Sequence, residues 1–85
     1  MLRLMRRVDF YFHNSCLSQQ SILRLAREVE TAYPEWTVTV HPLWEDEVKA
    51  MGFNTLPAIT INGVPTVFGT PSREWLLETI RMCNL

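Results

Sequence analysis

The sequence predicts an α/β domain made of a βαβ unit, a short helix, an antiparallel hairpin and a last helix. Three observations carry that reading. Two strand-like runs flank a long stretch of helical period, an Asn-Gly pair joins two apolar runs near residue 62, and a Thr-Pro helix start follows them. With 85 residues, 47% of them hydrophobic, residues 1–85 have room for one domain whose core needs neither metal nor disulfide.

From Arg7 to Phe12, Val8, Phe10 and Phe12 point one way and Asp9 and Tyr11 the other, as in a strand with a deeply buried face. Between Leu17 and Tyr33 the apolar residues Ile22, Leu25, Ala26, Val29 and Tyr33 recur at helical spacing, with Gln20, Arg24, Arg27, Glu28 and Glu30 opposite. Pro34 ends this helix. Trp36 to His41 then alternates apolar with polar, which predicts an edge strand covered on one face. The short connection makes the two strands parallel neighbours joined by a crossover.

Glu45, Asp46 and Glu47 suit the first turn of a second helix, and Gly52 suits its stop. Ala58–Ile61 and Val64–Phe68 read as strands, and Asn62-Gly63 is the signature of a type I′ turn between them. Pro65 lacks an N–H for a ladder bond, so the later strand belongs at the sheet edge. Thr70 is expected to cap the last helix with Pro71 at its first position. Leu76, Ile80 and Cys83 share one face of that helix, and Cys83 there is expected as a buried structural thiol.

The chemistry concentrates where the first strand meets the first helix, at His13-Asn14-Ser15-Cys16. A thiol at a helix N-terminus faces unpaired N–H groups and the positive end of the dipole, which favour the thiolate, the reactive form. His13, Ser15 and Gln19 are candidate supports for that thiolate; as plainer roles, Ser15 and Ser18 can cap the helix, and His13 and Gln19 can sit in solvent. Position 19 is Gln, so a reactive site here has one sulfur. Two cysteines are too few for a disulfide scaffold and show no metal-ligand spacing, and a metal site from Cys16, His13 and His41 has no local motif behind it. Trp36, Trp44 and Trp75 are expected as core or rim packing.

A net charge of −1 without a broad basic face argues against nucleic acid as a partner. The opening Met1–Arg7 has charge but no apolar stretch of signal-peptide length behind it, and nothing could span a bilayer. The expectation is a cytoplasmic protein with no membrane partner.

The element order, Cys16 after the first strand, and Thr55-Leu56-Pro57-Ala58-Ile59-Thr60-Ile61-Asn62-Gly63 before the hairpin together resemble the thioredoxin-like superfamily. The likeness covers nearly all of the chain and is nearest to its small thioredoxin- and glutaredoxin-type members. It implies a four-stranded mixed sheet in order 2-1-3-4 flanked by helices. It makes Cys16 the nucleophile and Pro57 a cis-proline beside it, with Leu56 offering backbone groups to an extended substrate. Gly69 and Thr70 fall where glutaredoxin-like members line a glutathione groove. Gln19 departs from the pattern, because dithiol members carry a resolving cysteine there. The resemblance therefore implies monothiol thiol–disulfide exchange with protein thiols or disulfides or with glutathione as co-substrate, and no resident cofactor. A redox-inactive module that keeps the Pro57 groove for a protein or peptide is the alternative, and a carrier of sulfur or metal on one thiolate is a third.

Overall fold

The sheet is assembled on its first strand. Val8, Phe10 and Phe12 alternate along β1 (Arg7–His13) and are almost wholly buried, so this strand takes an interior place with a neighbour on each side. It pairs in parallel with β2 (Thr37–Leu43) and antiparallel with β3 (Ala58–Ile61), which pairs antiparallel with β4 (Val64–Phe68). The order is β2-β1-β3-β4, and α1 (Gln19–Ala32) is the crossover that lets β1 and β2 run parallel. The computed structural model describes residues 6–14, 19–52 and 55–83.

The core lies on one face of this sheet. Ile22, Leu25, Ala26 and Val29 of α1 and Leu76 and Ile80 of α3 (Arg73–Cys83) form one cluster with Val8, Phe10, Phe12, Ile59, Ile61 and Val67. α1 and α3 lie side by side, and the Tyr33 hydroxyl donates to the Leu77 carbonyl at 3.0 Å. Trp36 is also in the core, its indole N–H buried and without a hydrogen-bond partner among the described residues. α2 (Glu45–Met51) buries no residue. Its first-turn acid Glu47 accepts from the Trp44 backbone N–H at 2.9 Å, and Gly52 ends it at φ 76°.

The hairpin forms for the expected reason: Asn62 (φ 54°) and Gly63 (φ 81°) supply the two positive dihedrals of a type I′ turn. Asn62 also ties the hairpin to β1, its side-chain oxygen accepting from the Arg7 N–H at 3.0 Å and its own N–H donating to the Arg7 carbonyl at 2.8 Å. Pro65 lies on the edge strand β4.

Three expectations need correction. The last helix starts at Arg73, and Ser72 caps it in place of Thr70: the Ser72 hydroxyl accepts from the Trp75 N–H at 3.2 Å. Cys83 is exposed, because the final turn of α3, from Arg81 to Cys83, is exposed throughout and runs past the packed layer. The second strand runs from Thr37 to Leu43, and on this edge Val40 keeps 37% of its surface in solvent.

Candidate functional site

Strand direction decides which loops meet. β1, β2 and β4 all point the same way, so their carboxyl ends share one end of the sheet, where β3 begins. His13 pairs with Leu43, while Tyr11 pairs with Ala58 and Ala58 with Phe68. Three segments therefore converge: His13-Asn14, from which the chain continues towards α1; Leu56-Pro57, entering β3; and Gly69-Thr70, leaving β4. Backbone bonds hold them, from the Asn14 N–H to the Leu43 carbonyl at 2.8 Å and from the Gly69 N–H to the Pro57 carbonyl at 2.7 Å. The Leu56–Pro57 peptide bond is cis. Gly69 has φ 104° with open space around its Cα, so backbone conformation, not crowding, calls for glycine.

Of the residues singled out from the sequence, Cys16 and Ser15, and with them Ser18, lie outside the described residues. Gln19 is the first residue of α1 and half-buried. Leu56 and Pro57 are half-buried, Gly69 likewise, and Thr70 is exposed. His13 is exposed at the end of β1, with Nδ1 3.2 Å from the Asn14 carbonyl. A carbonyl only accepts, so that bond engages Nδ1 as the protonated nitrogen. His41 belongs elsewhere: its ring stacks on Tyr11 with centroids 4.5 Å apart and its Nε2 donates to Asp9 at 2.8 Å. Among the described residues no three metal-ligating side chains gather.

Trp44 and Trp75, expected as core or rim packing, are well exposed, and so is Phe68, which the sequence reading did not single out. Trp44 (60% exposed) follows the end of β2, Phe68 (55%) ends β4, and Trp75 (50%) stands in the first turn of α3. All three occupy the sheet end that carries Leu56-Pro57. Phe68 follows the core-facing Val67 and so belongs to the sheet face away from α3, which carries Trp75; these are exposed aromatics on different faces, each suited to contact with another molecule. The available signal was position, since each falls at an element boundary and off the buried stripes.

The strongest electrostatic feature lies on the sheet face away from α1 and α3. Asp9, almost wholly buried, accepts from Arg7 Nε at 2.8 Å and from the second Arg7 nitrogen at 3.1 Å, as well as from His41. Burial alone would push its carboxyl up, but the hydrogen bonds from Arg7 and His41 outweigh burial and hold it below the usual carboxylate range. A carboxyl lowered by folding contributes stability above its unfolded value, near 4, and that contribution is lost as pH falls through the folded value. Thermal unfolding of the Asp9→Asn variant between about pH 3 and 6 is expected to show a flatter loss of stability towards acid than the parent, with a lower midpoint at neutral pH. Equal acid slopes would remove Asp9 from this role.

No family model matches the chain, and no curated protein does. Solved structures do. A selenoprotein W-related protein from Vibrio cholerae superposes with a TM-score of 0.72 at 20% identity, over 93% of this chain and 96% of that one. Thioredoxin O2 from Arabidopsis thaliana, in its oxidised state, superposes with a TM-score of 0.65 at 14% identity, over 89% of this chain and 72% of that one. Among the described residues no helix is long and apolar enough to cross a membrane. The strand order, the crossover helix, the turn into β3 and the agreement with both structures lead to one conclusion: this is a small α/β chain with the thioredoxin-like fold.

Proposed function

We propose that the chain carries out thiol–disulfide exchange with Cys16 as its single nucleophile. The observation that supports this most is the convergence of Leu56-Pro57 and Gly69-Thr70, joined by the 2.7 Å bond from Gly69 to Pro57, at the sheet end where β1 finishes at His13, three positions before Cys16 in sequence. In the proposed step the Cys16 thiolate attacks one sulfur of a disulfide, forms a mixed disulfide and releases the other sulfur as a thiolate. With Gln at position 19, an outside thiol such as glutathione must attack that mixed disulfide to regenerate Cys16. Leu56 would align an extended substrate through its backbone, and Gly69 and Thr70 would form the far wall of the groove. His13, Ser15 and Gln19 are the proposed thiolate supports. Two cysteines with no disulfide framework suit a reducing compartment such as the cytoplasm.

The exposed aromatics Trp44, Phe68 and Trp75 favour a second reading, a binding module that holds a protein segment at the same end without redox chemistry. Glutathione uptake separates the two. With the exposed Cys83 replaced by Ser, oxidised glutathione is expected to add one glutathione by intact mass, and the additional Cys16→Ser change should abolish the adduct. Absence of an adduct on natively folded protein would favour the binding module.

A further inference from the structure

A groove on the helical side of the molecule gathers positive charge on a chain that is net negative as a whole. Arg24 and Arg27 of α1 and Arg73 of α3 line a hollow of about 340 Å³ together with Glu28. A second hollow of about 290 Å³ shares Arg24 and Arg27 and extends to Gln19 and Gln20, at the start of α1. Arg24 and Glu28 are four apart on the helix, the spacing at which opposite charges meet. Glu28, however, is engaged by Arg73 Nε at 3.2 Å. Among the described residues neither Arg24 nor Arg27 has an ion-pair partner. The first turn of α1 contains no acidic residue, so the positive end of its dipole adds to the same field. Three guanidinium groups against one carboxylate make a cationic strip on a chain of net charge −1.

We propose that this strip binds an extended acidic segment of a protein partner. Planar guanidinium forks match carboxylates in bidentate pairs, and the exposed Gln20 amide suits a peptide backbone. A nucleic acid fits less well: among the described residues the groove offers no aromatic side chain for a base to stack on. α1 has 14 residues and is about 20 Å long, which matches an extended segment of about six residues. The strip opens at the first residue of α1, on the end of the sheet that carries Leu56-Pro57. It is placed to seat a partner whose disulfide reaches Cys16, a coupling that rests on the proposed exchange function.

The test is fluorescence anisotropy with a labelled, glutamate-rich peptide of about six residues. The full chain is expected to bind it saturably, and Arg24→Glu with Arg27→Glu should weaken binding by about a hundredfold, tenfold for each lost pair. The same double variant should gain affinity for a lysine-rich peptide that the parent ignores, which a merely unfolded variant would not do. Arg24→Gln with Arg27→Gln provides a milder loss if the reversed charges prevent folding. Binding of the glutamate peptide that both double variants leave unchanged within about twofold, or inorganic polyphosphate bound as tightly by the parent, would overturn the proposal. Cys16→Ser should bind the peptide as the parent does. If Cys16 takes up glutathione but the peptide does not bind, the groove proposal fails alone; if the peptide binds and Cys16 is inert, the exchange reading fails alone.

Discussion

Replacing Phe10 with alanine is expected to cost about 3–5 kcal/mol of folding stability. Phe10 is fully buried in the middle of β1, between Val40 of β2 and Ile59 of β3, and belongs to the cluster that α1 and α3 cover. Truncation removes a ring from a site where sheet and helices meet, and two packed layers close around such a space only partly. A chain of 85 residues is held by roughly 4–13 kcal/mol in total, so this one change removes about a quarter or more of its stability. Urea unfolding of the variant should show the midpoint fall sharply. Val40→Ala, on the same face of the sheet but 37% exposed on the edge strand, should cost about 1 kcal/mol or less. Equal losses at the two positions would contradict the placement of the core on β1.

Gln19→Cys should turn a one-thiol site into a dithiol. Gln19 begins α1, three residues beyond Cys16 in sequence, the spacing at which side chains meet where a helical turn includes both. If Cys16 occupies the position the proposed function requires, the two sulfurs can meet and close a disulfide. The new thiol would then attack a mixed disulfide at Cys16 as an internal group, at an effective concentration no outside thiol reaches. The Gln19→Cys variant is expected to reduce a protein disulfide such as that of insulin when supplied with a dithiol reductant, while the parent stays near background. The internal link is read by thiol counting after mild oxidation, with Cys83 replaced by Ser. A folded variant that forms no such link would contradict the proposed location of Cys16.

Much of the fold was legible because one strong local signal marked each element. The alternation of Val8, Phe10 and Phe12, the helical stripe of Ile22, Leu25, Ala26 and Val29, and Asn62-Gly63 each match the burial or dihedral that the structure shows. Ends and edges were less legible. Thr70-Pro71 and Ser72 are both acceptable helix starts, and only the bond to the Trp75 N–H singles out Ser72. Cys83 continues the stripe of Leu76 and Ile80, but sequence period does not tell how far the sheet beneath the helix reaches. At the candidate site, Leu56-Pro57 and Gly69 were named through the thioredoxin-like resemblance and not through a local signal of their own. The exposure of Trp44, Phe68 and Trp75 was not legible, because an aromatic at an element boundary reads equally well as packing or as surface. The tie from Asp9 to Arg7 and His41 also escaped notice. Asp9 and Arg7 share one side of β1 by simple alternation, but the reach to His41 depends on the parallel register of β1 and β2.

The pH dependence of Cys16 alkylation tests the central claim most directly. It is measured with iodoacetamide on the Cys83→Ser protein, so that one thiol reports. An activated nucleophile at Cys16, three positions ahead of α1 in sequence, should react with a midpoint clearly below the free-thiol value of about 8.5, and should react faster at neutral pH in the folded protein than after denaturation in urea. A midpoint at or above about 8.5 on folded protein would contradict the claim and leave the thioredoxin-like fold as a scaffold for binding alone.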